Sequence, residues 1–137
     1  MALLDKDDSP IQGEPIMPSI LIVDDDADMR LLTRRLVGML GCEASEAKNG
    51  LDAEASALQT QPDIVLLDIM MPGQDGYETC ANLRERGYTG LIILVSALQQ
   101  ASIKDKIAAC GASAYIQKPI TKTVLKGYIE QIRTEPA

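Results

Sequence analysis

Three stretches of this chain are apolar at every position and then stop at a polar residue. Ile20 to Val23 ends at Asp24, Ile64 to Leu67 at Asp68, and Leu91 to Val95 at Ser96. A strand with one wet face alternates apolar and polar residues, whereas a strand covered on both faces reads as a continuous apolar run. These runs are of the second kind. Weaker candidates stand at Cys42 to Ala47 and at Tyr115 to Gln117, the latter ending at Lys118.

The segments between the runs read as helices. Asp26 is placed to cap a helix from Ala27 to Leu40, with Met29, Leu32, Leu36 and Leu40 on one face and Gly41 as its stop. A second helix is expected from Leu51 to Gln59, with Ala53 and Ala57 inward. A third runs through Tyr77, Cys80 and Leu83 after a loop containing Pro72, Gly73 and Gly76, where Asp75 reads as turn and cap chemistry. Ile103 and Ile107 mark a fourth helix that stops at Gly111, and Val124, Tyr128, Ile129 and Ile132 a fifth. Strand and helix alternate throughout, so the expected fold class is α/β, a doubly wound parallel sheet with helices on both faces. Residues 1–18, with Pro10, Gly13, Pro15 and Pro18, read as a flexible arm, residues 19–133 as the domain and residues 134–137 as a short tail.

Composition narrows the chemistry. There is no His among 137 residues, which removes His-assisted nucleophilic catalysis and His-ligated metals. Cys42, Cys80 and Cys110 form no C-x-x-C pair and read as small buried residues of a reducing compartment. A formal charge of −7 argues against direct nucleic-acid binding. No apolar run approaches the ~18 residues of a membrane span, and Asp5, Lys6, Asp7 and Asp8 do not suit a signal peptide. The expected setting is cytoplasmic, with no membrane partner.

In an open parallel sheet the functional crevice lies beyond the carboxyl ends of the strands. Asp24 and Asp25, Asp68, Ser96 and Lys118 stand at four such ends. Clustered carboxylates repel one another unless a hard cation neutralises them, and Mg²⁺ commonly takes one or two carboxylates together with phosphate oxygens. An ionised carboxylate is itself a nucleophile toward phosphorus and needs no His base. Lys and Ser suit the charge that develops on a transferring phosphoryl group.

The runs I-L-I-V-D-D-D, P-D-I-V-L-L-D-I-M-M-P-G-Q-D-G, L-I-I-L-V-S-A and Y-I-Q-K-P-I, in this order and spacing, resemble the receiver domains of two-component response regulators. The likeness covers about residues 19 to 133. It implies a five-stranded flavodoxin-like sheet of order 2-1-3-4-5, and phosphorylation of Asp68 from a sensor histidine kinase or a histidine phosphotransfer protein. It further implies Mg²⁺ held by Asp25, Asp68 and the Met70 backbone carbonyl, with Asp24 acting through a water. Ser96 would bind a phosphoryl oxygen, Lys118 would pair with the carboxylate or phosphoryl group, and Tyr115 would be the switch aromatic. The Lys118–Pro119 bond would be cis. Met70 and Leu98 would flank the hydrolytic water and, both being apolar, lengthen the life of the phospho-aspartate. Such a domain is no enzyme beyond its own phosphotransfer and dephosphorylation. Its output would be a downstream protein target or a homodimer, through the face carrying Lys104, Lys106, Lys122 and Lys126, and no effector domain follows Ile132 in this sequence.

Two other readings compete. A haloacid-dehalogenase-type phosphatase uses an aspartyl nucleophile after its first strand and a second Asp two residues on, as Asp24 and Asp26 stand here, but Asp28 occupies a position where that family has Thr or Val. A phosphorylation-independent interaction module on the same fold would not need the full acidic set.

Overall fold

The computed structural model describes residues 17–97 and 103–134. Among the described residues five strands alternate with five helices. They are β1 (Ser19–Val23), α1 (Ala27–Met39), β2 (Glu43–Ala47), α2 (Gly50–Thr60), β3 (Ile64–Asp68), α3 (Gly76–Glu85), β4 (Leu91–Ser96), α4 (Ile103–Cys110), β5 (Ala114–Gln117) and α5 (Lys122–Thr134). All strand pairs are parallel and the order is β2-β1-β3-β4-β5, as the resemblance implied.

The apolar runs explain the layering. Successive strand residues face opposite sides of a sheet, so Leu21, Val23, Val65, Leu67, Ile92 and Leu94 pack on one side against Ala53 and Ala57 of α2, Cys80 and Leu83 of α3 and Cys110 of α4. Ile20, Ile22, Ile64, Leu66, Ile93 and Ile116 pack on the other against Val37 of α1 and Leu125 and Ile129 of α5. The strands are thus uniformly apolar because both faces are roofed, and each buried aliphatic side chain contributes about 1.5–3 kcal/mol.

Two helical stripes differ from expectation. On α1 the buried seam runs through Thr33 and Val37, while Leu32 is 57% exposed. On α5 the buried positions are Leu125 and Ile129, and Val124 is 42% exposed. In each helix an apolar residue one step away on the helical wheel sits at the margin of the seam, an offset that residue type alone does not resolve. At the amino end, Pro18 is buried and Met17 packs against the core, so these two residues of the expected arm belong to the folded body. At the other end α5 runs through Thr134, one residue into the expected tail. The rest of the arm and tail, and Leu98, lie outside the described residues.

Candidate functional site

Each candidate side chain is delivered by the end of a strand, and the ends are tied to one another through the backbone. The Asp24 amide donates to the Ala47 carbonyl, the Ile69 amide to the Val95 carbonyl, and the Lys118 amide to the Ser96 carbonyl. Arg30 of α1 reaches back to the Asp24 carbonyl at 2.7 Å and forms an ion pair with Glu46 of β2 at 3.1 Å. The Lys118–Pro119 peptide is cis.

These ties bring Asp24, Asp25 and Asp68 together, with one carboxylate oxygen from each within 4.8 Å of the others. Asp24 and Asp68 are buried and Asp25 is exposed. The Lys118 ammonium lies 3.3 Å from Asp68 Oδ1 and 3.4 Å from Asp24 Oδ2. Burial, then the neighbouring charge of Asp24, pushes the Asp68 carboxyl up to about 6 against the pull of Lys118. Burial lowers the Lys118 ammonium, but Asp68 and Asp24 outweigh it and leave the group above its ordinary value. An acid held out of water beside two further acids, with the Lys118 ammonium for company, is a donor set that a hard divalent cation fits.

Ser96 ends β4 and is buried. Tyr115 is half-buried and packs against the cluster beneath α2, α3 and α4. The Met70 side chain is exposed in the loop after β3. Asp26 and Asp75 play the capping roles expected of them: Asp26 accepts the amides of Asp28 and Met29, and Asp75 that of Glu78. Lys104, Lys106, Lys122 and Lys126 are all exposed, but Lys106 turns toward α3, its ammonium 5.1 Å from the centre of the Tyr77 ring.

Two features were missed by the sequence reading. A cavity of about 160 Å³ adjoins the acids, lined by Met29, Leu32, Thr33 and Leu36 of α1 and by Pro119 and Ile120. Glu54 of α2 is buried and holds side chains of the loop after β3 and of α3. A hint lay in its place beside Ala53 and three residues before Ala57, next to the helix's inward face.

A parallel sheet of this order with acids, a hydroxyl and an ammonium at its carboxyl edge defines a class, and the sequence relatives bear it out. The chain belongs to the response regulator receiver domain family, which matches it over residues 20–130. It is 33% identical over 115 residues to the chemotaxis protein CheY of Halobacterium salinarum, covering 84% of this chain and 96% of that one. It is 39% identical over 102 residues to the transcriptional regulatory protein ResD of Bacillus subtilis, covering 74% of this chain and 42% of ResD. Among solved structures, the BeF3-activated N-terminal receiver domain of Klebsiella pneumoniae RstA matches with a TM-score of 0.77 and 31% identity over 85% of this chain and 99% of that one. The chain spans only 10% to 44% of the length of several of the curated relatives it matches, a sensor protein among them. No helix among the described residues is long and apolar enough to cross a membrane.

Proposed function

We propose that the chain is phosphorylated on Asp68 by a phosphohistidine of a sensor histidine kinase or a histidine phosphotransfer protein. A carboxylate oxygen of Asp68 attacks the phosphorus, the phosphorus–nitrogen bond breaks, and its electron pair returns to the donor imidazole. The product is an acyl phosphate on Asp68. Mg²⁺, held by Asp25, Asp68 and the Met70 carbonyl and through a water by Asp24, would supply positive charge to the transferring phosphoryl oxygens. Lys118, with its ammonium 3.3 Å from Asp68 Oδ1, balances charge on the acceptor and then on the phosphoryl group. Ser96 offers its hydroxyl to a phosphoryl oxygen, and that movement frees room for Tyr115 to turn inward.

The observation that carries this reading is the convergence of three carboxylates within 4.8 Å beside Lys118. It also favours Asp68 over Asp24 as the acceptor. Asp24 Oδ1 already accepts the Asp26 amide, and the Asp26 carboxylate caps α1, which leaves it a poor candidate for the acid of a phosphatase of the haloacid dehalogenase type. Acetyl phosphate with Mg²⁺ should label the parent protein in an intact-mass measurement and leave Asp68→Asn unlabelled. Equal labelling of the two removes Asp68 from the role.

For output, the exposed Lys104, Lys122 and Lys126 of α4 and α5 suit an acidic partner surface on a chain whose net charge is −7. Lys104→Glu with Lys122→Glu should weaken capture of the protein target by the phosphorylated form about tenfold at low salt. Unchanged affinity would locate the output face elsewhere.

A further inference from the structure

Glu54 is a buried carboxylate that the phosphotransfer site does not use. It is 5% exposed and lies on α2, facing α3 and the loop that follows β3. Burying a carboxylate costs several kcal/mol unless hydrogen bonds replace its water. Three donors do so here: Gln74 Nε2 at 2.5 Å, Asn82 Nδ2 at 3.0 Å and Arg86 Nη1 at 3.1 Å. Asn82 and Arg86 come from α3 and its carboxyl end. Gln74 comes from the loop between Asp68 and α3.

Gln74 is held a second time. Its amide also donates to Thr79 Oγ1 at 2.9 Å, and that hydroxyl donates to the Asp75 carbonyl at 2.8 Å. Gly50 closes over the pair: a β-carbon there would overlap Thr79 Oγ1 and stand 2.8 Å from Gln74 Nε2. The amide is therefore clamped between two helices. On the strand side the loop is held by Ile69 and Met71, both buried in the core. Between Met71 and Gln74 it runs through exposed Pro72 and Gly73, the latter with a positive φ of 78°, so the Gln74 clamp is what holds its helix side. Met70 sits in this loop, four residues before Gln74 and two after Asp68.

We infer that Glu54 and Gln74 are positioning residues for the metal site, fixing through the clamped loop the place of the Met70 carbonyl relative to Asp68. The buried carboxylate demands a donor at position 74, and meeting that demand fixes the loop on its helix side, adding to the hold that buried Ile69 and Met71 have on its strand side. Outer partners tune a metal site by orienting its ligands without touching the metal, and here that orientation would pass along the loop backbone. The inference rests on the Mg²⁺ site proposed above.

Three variants test it. Glu54→Gln keeps the size but turns a pure acceptor into a group with its own donors facing Gln74 and Asn82, while Gln74→Leu removes the clamped amide from a half-exposed position. Arg86→Ala weakens the solvent-side ion pair without touching the loop. Titration calorimetry should show Mg²⁺ affinity about tenfold weaker in Glu54→Gln and Gln74→Leu, the low end of what loss of an outer partner costs. Amide exchange across residues 70–75 should quicken in both, whereas Arg86→Ala should lower thermal stability and leave affinity within about twofold. Parent-like Mg²⁺ affinity in Gln74→Leu, or a loss in Arg86→Ala as large as in Glu54→Gln, overturns the positioning role. A parent that binds no Mg²⁺ overturns the metal site itself, and exchange across residues 70–75 then reports the clamp alone.

Discussion

At the scale of single residues, Asp68 is where electrostatics and the proposed function meet. Its carboxyl is raised from 3.8 to about 6 in the folded protein, chiefly by burial and then by Asp24. Between about pH 4 and pH 6 the folded state therefore keeps a proton that the unfolded chain has lost. A folded value above the unfolded one means stability that is present at low pH and lost as pH rises through about 6. The full difference corresponds to ~3 kcal/mol, which solvent reaching the crevice reduces to about 1–2 kcal/mol. In metal-free buffer, Asp68→Asn should thus be about 1–2 kcal/mol more stable than the parent at pH 8, and the gap should close toward pH 4. Urea unfolding at several pH values measures this, and a variant no more stable than the parent at pH 8 would mean that Asp68 ionises without strain. Residues of this kind were legible in the sequence because each ends an apolar run, where nothing but the crevice can receive it. Glu54 was not. A Glu on a helix is ordinarily a surface residue, and its burial depends on donors 20 to 32 positions away that no local pattern announces.

At the scale of elements, the close approach of α3 to β3 shapes the site. Gly76 opens α3, and its amide donates to the Ile69 carbonyl at 2.9 Å. A β-carbon at Gly76 would lie 2.5 Å from the Asp68 carbonyl oxygen and 2.7 Å from Ile69 Cα, both backbone atoms with no flexible end to yield. Gly76→Ala must push the helix start and the strand end apart. It should cost about 1–3 kcal/mol, as overpacking in a filled core does, and should slow labelling of Asp68 by acetyl phosphate more than stability loss alone explains. A variant of parental stability and labelling rate would show that the helix start moves freely. The element boundaries themselves were legible to within a residue or two, since Asp26 and Asp75 cap where they were expected to and Gly41 follows α1. The helix faces were less so. Thr33 and Val37, rather than Leu32, fill the buried seam of α1, and Leu32 lies over the cavity beside Pro119 and Ile120.

At the scale of the whole molecule, the site and the fold stand or fall together. Asp24 and Asp25 follow β1 and Asp68 ends β3, adjacent strands at the middle of the sheet, while Lys118 follows the edge strand β5. The four groups span positions 24 to 118 and meet only when all the intervening strands are in register. The strand order behind this was legible only through family resemblance, because apolar runs reveal that strands are covered but not which strands are neighbours. Since the unfolded chain scatters these groups, a cation that binds them binds the folded state alone and stabilises it by mass action. At Mg²⁺ tenfold above its dissociation constant that linkage is ~1.4 kcal/mol, which for a domain of this size raises the melting temperature by about 3–6 °C. The cation also competes with the proton on Asp68, so the gain should be larger at pH 8 than at pH 5. Asp25 is the exposed member of the set, so Asp25→Ala removes a proposed ligand without opening the core and should erase most of the shift. Melting curves across a Mg²⁺ series at both pH values decide it. A parent whose melting temperature ignores Mg²⁺, or an Asp25→Ala protein that responds as fully as the parent, would show that the acidic cluster does not hold the ion.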